Sequence, residues 1–235
     1  DSHVFGYGVP DEDTFPYKLQ KMLGDKYNVI NMGISAYEHS RQFALLDRHM
    51  SRLKPEAVII GINLTDIRVD LPAAPYTKKS AAAFQKESLA VRNVMDSSAL
   101  LTYFRDAFPG LRVKLGLQKI PVYEKECYRL WSDDSVFRVY QEDMAEEINK
   151  LSGLNTRIIF AVFPHFAEVY LMDKKIRCPV EYCKSIENPG IKTVDLKPVF
   201  QANHKRISSL YLKDGHPNRK AYTLVAAEVF NKLQE

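Results

Sequence analysis

The chain has 235 residues, enough for one sizeable domain that buries most of its apolar surface. Its hydrophobic fraction of 46% and charged fraction of 26% are those of an ordinary globular protein, with no internal repeat or low-complexity tract. The net charge of +4 comes without the clustered Lys and Arg of a nucleic-acid binder, and no apolar run approaches the ~18–20 residues of a membrane span.

Taken in chain order, the pattern alternates helix and strand. Phe15, Leu19, Met22 and Leu23 recur at helical spacing, and Lys26–Met32 then reads as a strand turning at Gly33. Phe43, Leu46, His49, Met50 and Leu53 mark a second helix. Pro55–Gly61 is a near-continuous apolar run, as expected of a parallel strand covered on both faces. Residues 67–135 contain no convincing strand. Helix-prone pieces at Ser80–Val94 and Ser97–Phe108 lie there between prolines, so the stretch reads as an insert or lid. A helix over Val136–Leu151, strands over Thr156–Phe163 and Gly190–Leu196, and a last helix over Ala221–Leu233 continue the alternation. This rhythm predicts a three-layer α/β/α fold around a parallel sheet, in a single domain spanning 1–235 with the insert at 67–135.

Four short segments carry chemistry. Asp1-Ser2 opens the chain and continues through Gly6-Tyr7-Gly8 to Asp11-Glu12-Asp13-Thr14-Phe15-Pro16. Asn31-Met32-Gly33 and Gly61-Ile62-Asn63 each end a predicted strand, where glycine lets the backbone turn tightly and come close to a substrate. Asp214-Gly215-His216-Pro217-Asn218 precedes the last helix. A serine hydroxyl is a poor nucleophile until an imidazole takes its proton, and a carboxylate holds that imidazole in the right tautomer. Each segment also has an ordinary reading: a terminal serine, a strand-to-helix turn with Ser35 or Ser40 as cap, a loop-capping asparagine, and a surface Asp-Gly turn with Pro217 opening the helix. Their order along one chain favours the chemical reading, since active groups gather at the carboxyl ends of parallel strands.

In this order the four segments resemble the blocks of the SGNH hydrolases, the GDSL-type esterases, lipases and O-acyltransferases. The resemblance spans most of the chain apart from 67–135. It implies a flavodoxin-like sheet and a triad of Ser2, His216 and Asp214. It also implies an oxyanion hole built from the N–H groups of Ser2 and Gly33 and the side-chain amide of Asn63. The substrate would be a carbohydrate or lipid ester, or another small ester, with no cofactor and no metal. The chain departs from the family pattern at Leu64, where an Asp is usual, and at Lys213, the commoner acid position; Asp66 stands two residues beyond Leu64. These departures keep open a second reading, a catalytically impaired domain that binds a carbohydrate or a protein partner. In the family an apolar strand leads into Asp-Ser, so such a strand is expected upstream of Asp1, with room there for an anchor or signal; an extracytoplasmic protein is expected, with a cytoplasmic one as the alternative.

Other candidates are weaker. Ser35 lacks the second glycine of a nucleophile elbow. His165-Phe166-Ala167-Glu168 follows a strand as a lone HxxE and is placed, with Asp66, at the substrate rim rather than on a metal. Gly6-Tyr7-Gly8 opens no dinucleotide-binding helix. Cys178 and Cys183 are close enough to bridge within a loop or to stay reduced, and Cys127 has no near neighbour.

Overall fold

Three of the predicted strands form and pair in parallel: β1 (Ala57–Ile62), β2 (Arg157–Val162) and β3 (Ile191–Asp195), in the order β1-β2-β3. The computed structural model describes residues 1–67, 122–165, 179–203, 207–212 and 214–235. Ala57 stands opposite Arg157 and Ile62 opposite Val162, while Ile158 pairs with Ile191 and Val162 with Asp195. Successive side chains of a strand point to opposite faces, and β2 shows this directly. Ile158, Phe160 and Val162 enter one core, and Ile159 and Ala161 enter the other.

Helices cover both faces. The first core takes in α3 (His39–Leu53), α4 (Val122–Trp131), α5 (Asp134–Gly153) and α6 (Pro179–Ser185). The second takes in α2 (Phe15–Leu23), α7 (Leu196–Asn203) and α8 (Arg219–Gln234). A one-turn helix, α1 (Ser2–Phe5), precedes them all. Local chemistry sets the helix starts: Thr14, Asp133 and Asn218 each accept main-chain N–H groups of the turn they open. Asn218 is the cap of α8, so Pro217 stands before the cap and not at the first helical position. Among the described residues no helix is long and apolar enough to cross a membrane.

The strand expected over Lys26–Met32 does not form. Lys26 ends a 3₁₀ turn, and the residues after it join no ladder. The Gln20 side chain holds this stretch instead: Oε1 accepts the Val29 N–H at 2.6 Å, and Nε2 donates to the carbonyls of Gly24 and Tyr27. A strand exists only where a neighbour supplies the other half of each hydrogen bond. Here the outer edge of β1 faces a cavity of about 740 Å³, bounded by Ile59 and Gly61 on one side and by Leu19, Val29, Asn31 and Leu46 on others.

Most of the expected insert, together with its two helix-prone pieces, lies outside the described residues. Its last part is core. Cys127, Leu130 and Trp131 of α4 are buried, and the Trp131 indole N–H donates to the Leu64 carbonyl at 2.8 Å while its ring meets Tyr140 edge-on. The lid reading therefore does not extend to 122–135. Trp131→Ala is expected to destabilise the fold by about 3–5 kcal/mol, from the lost ring, the cavity and the orphaned Leu64 carbonyl. Urea unfolding followed by circular dichroism checks this; a loss below about 1 kcal/mol would return α4 to the insert. Cys127 and Cys183 are both buried. Cys178 lies outside the described residues, and so does its pairing with Cys183.

Candidate active site

Ser2 is held by the smallest possible helix. Asp1 caps α1 by accepting the Val4 N–H at 3.0 Å, and Gly6 ends it in the left-handed region with φ 89°. An added Cβ at Gly6 would overlap Thr14, so glycine is required there for both space and conformation. Gly33 packs against the same turn from the other side. A Cβ on it would come within 2.2 Å of the Phe5 nitrogen. The sequence thus seats the serine by three local devices: a cap, a left-handed glycine and a close backbone approach.

At the other end of the chain, Leu212 N–H donates to the His216 carbonyl at 2.7 Å, and Gly215 takes φ 91° between them. This tight turn, fastened to α8 through Asn218, carries the His216 ring to α1. His216 Nε2 lies 3.0 Å from Ser2 Oγ, across 214 positions of sequence. The Tyr7 ring leans on the imidazole with centroids 4.7 Å apart. Asp214 Oδ1 stands 3.2 Å from His216 Nδ1, and the same oxygen accepts the His216 main-chain N–H at 3.1 Å. The carboxylate therefore reaches Nδ1 from within its own turn, and the angle forms no aligned hydrogen bond to the ring. Asp214 is about half exposed.

Asn63 follows β1 and is fully buried beside this pair. Its Oδ1 accepts both the N–H and the hydroxyl of Thr65 at 2.7 Å, which settles the orientation of the amide. Nδ2 thus faces α1, where it donates to Asp1 Oδ2 and stands 3.3 Å from His3 Nδ1. Gly33 N–H donates to Asn31 Oδ1 at 3.0 Å. The structure so brings Ser2, His216 and Asp214 together and sets Gly33 and Asn63 against α1. It also gives the donors of Gly33 and Asn63 internal acceptors.

His165 and Asp66, both expected at a rim, are buried, at 8% and 2% exposure. Both stand just past the carboxyl ends of β2 and β1. Burial, then the nearby His216 charge, pushes His165 down to about 4. Burial pushes Asp66 up to about 7, against the pull of its hydrogen bonds from Asn63 N–H and Gln42. The two oppose each other in stability. His165 contributes stability present above the usual histidine value of 6.5 and lost as pH falls through about 4. Asp66 contributes stability present below the usual 3.8 and lost as pH rises through about 7. Asp66→Asn removes only the second effect. It is expected to gain on the parent by on the order of 2–4 kcal/mol between pH 4 and pH 8. Paired denaturation curves across that range test this, and a constant difference would refute it.

His3 stands next to the serine in sequence, yet its neighbours come from the residues just after β1 and β2 and from the turn before α8. Its ring meets Phe163 and His216 with centroids 5.3 and 5.4 Å away. Burial, then the charges of His216 and His165, holds it well below the ordinary histidine range. Its Nε2 is buried without a partner among the described residues. A histidine inside a one-turn helix that also carries the serine was the available signal. His39 and Gln42, at the start of α3, had none; only the fold brings them to Asp66.

Among the described residues no group of three or more His, Cys, Asp or Glu is arranged to hold a metal ion. Comparison with family models, with curated proteins and with solved structures gives no match.

Proposed function

We propose that the chain is a serine-dependent carboxyl-ester hydrolase or O-acyltransferase of the SGNH type, with a carbohydrate or lipid ester as substrate. The observation that carries this reading is the 3.0 Å approach of His216 Nε2 to Ser2 Oγ. A serine hydroxyl aimed at an imidazole nitrogen is a nucleophile with its base in place. The α/β fold with a parallel sheet and the site at the strands' carboxyl ends support the same assignment.

In the reaction, Ser2 Oγ attacks the ester carbonyl carbon as His216 Nε2 takes its proton. The carbonyl oxygen becomes an oxyanion facing Ser2 N–H, Gly33 N–H and Asn63 Nδ2. Collapse of this intermediate breaks the bond to the leaving oxygen, which receives the proton from His216 and departs as the alcohol. The acyl group stays on Ser2. Water attacking it, deprotonated by His216, completes hydrolysis; a sugar hydroxyl in the same place completes acyl transfer. For Gly33 and Asn63 to serve, the oxyanion must draw their N–H groups from Asn31 and from Asp1 and His3. An anion is the stronger acceptor.

The occupied donors also favour a second reading, an impaired domain of the same fold that binds a carbohydrate or a protein partner. A fluorophosphonate probe separates the two. Stoichiometric labelling of the parent, mapped to Ser2 by mass spectrometry, is the expected result. An unlabelled Ser2 in folded protein would favour the binding domain.

A further inference from the structure

We propose that Asp66 is a positioning residue for Asn63, acting through a hydrogen-bond chain that runs from Asp143 on α5 through the buried His39 and Asp66 to Asn63, which donates to Asp1 beside the nucleophile. The proposal rests on the acyl-transfer reading and deepens it.

Asp66 grips Asn63 at both ends of its backbone. The carboxylate Oδ2 accepts the Asn63 N–H at 2.7 Å, and the Asp66 N–H donates to the Asn63 carbonyl at 3.2 Å. With its main chain so held and its Oδ1 fixed by Thr65, the Asn63 amide has one orientation, toward α1. Asp66 so keeps the amide where an oxyanion would draw it from Asp1, and a donor whose main chain is already fixed is worth more than one whose main chain must also move.

Asp66 is itself anchored twice. Gln42 Nε2 donates to its Oδ1 at 3.1 Å, and that same amide donates to the Tyr37 carbonyl at 3.0 Å. His39 Nδ1 donates to the Asp66 carbonyl at 2.7 Å, while His39 Nε2 lies 3.1 Å from Asp143 Oδ2. Both ring nitrogens of His39 face oxygen acceptors, and the ring satisfies both only when it carries both N–H protons. The 4% exposed His39 thus ties α3 and α5 to the turn that carries Asn63. A buried carboxylate is a costly way to fill space, since an apolar side chain would pack there without desolvation. What it adds here is a grip on the Asn63 N–H.

The test is a double-mutant cycle on the full chain with p-nitrophenyl acetate. Asn63→Ala is expected to lower kcat about 10²-fold or more. Asp66→Asn, nearly the same shape, should lower kcat roughly tenfold or more with KM within about twofold. In the Asn63→Ala background, Asp66→Asn should change kcat by less than about twofold, because the group it positions is gone. His39→Gln, which leaves the carboxylate in place, should repeat this pattern with a smaller loss, and it decides the matter if Asp66→Asn does not melt cooperatively. Equal losses in both backgrounds, or an Asp66→Asn enzyme as fast as the parent, would overturn the proposal and leave the esterase reading standing. A parent that neither turns over the ester nor takes the fluorophosphonate would overturn both.

Discussion

Ser2→Ala and His216→Ala should each abolish acylation, with a loss on the order of 10⁴–10⁶-fold in the burst rate on an activated ester. In the proposed reaction Ser2 Oγ forms the acyl bond, and His216 Nε2, 3.0 Å away, is the base that takes its proton. Removing either leaves the other without a task. The double variant should therefore be no slower than the worse single variant, a non-additivity that separates a working pair from two residues that merely hold the fold. Folding is a minor risk for Ser2→Ala, since the cap of α1 comes from Asp1 and not from the serine. Stopped-flow measurement of p-nitrophenol release gives the number directly. A Ser2→Ala protein that still shows a stoichiometric burst would remove Ser2 from the chemistry and with it the proposed function.

Asp214→Asn should lower the acylation rate by about 10²–10³-fold, less than the roughly 10⁴-fold that a buried triad acid commands. Two observations set this expectation. Asp214 Oδ1 lies within 3.2 Å of Nδ1, close enough to hold the Nδ1–H tautomer and to stabilise the imidazolium formed during attack. Yet the carboxylate is about half exposed and shares the same oxygen with the His216 main-chain N–H, so water competes for it. The asparagine amide oxygen in that place accepts without a charge, so the imidazolium formed during attack loses its counter-ion. Because the main-chain bond survives with the amide oxygen, the turn itself should keep its shape. Pre-steady-state acylation of Asp214→Asn against the parent decides the matter. A rate within a few-fold of the parent would make the site a Ser2–His216 dyad.

Much of this was open to reading along the chain because its causes are local. The helices over 15–23, 134–153 and 219–234 follow from apolar spacing plus a side-chain cap that bonds within three residues of itself, and the helix over 39–53 from spacing alone, since Glu38 at its start makes no side-chain cap bond. The Asp-Ser turn, the Asp-Gly-His turn and the glycines beside them are short-range chemistry of the same kind. Even the meeting of Ser2 with His216 had a signature in the order of the segments, since parallel strands send their carboxyl ends to one side of the sheet.

What the amino-acid sequence could not disclose by itself was decided by partners far along the chain. Lys26–Met32 has strand composition, but a strand is a pairing, and Gln20 holds this segment where no ladder does. Asp66 and His165 look polar and therefore exposed; the packing of the carboxyl ends of β1 and β2 buries both and turns Asp66 inward onto Asn63. Residues 122–135 follow a proline-broken stretch, yet Trp131 is drawn into the core by Leu64 and Tyr140. The state of the oxyanion donors is the clearest instance. The resemblance of the segments pointed to Gly33 and Asn63, but only the tertiary structure determines that Asn31 accepts from one and that Asp1 and His3 face the other. A hydrogen-bond donor takes the best acceptor in space, and distance along the chain has no bearing on which one that is.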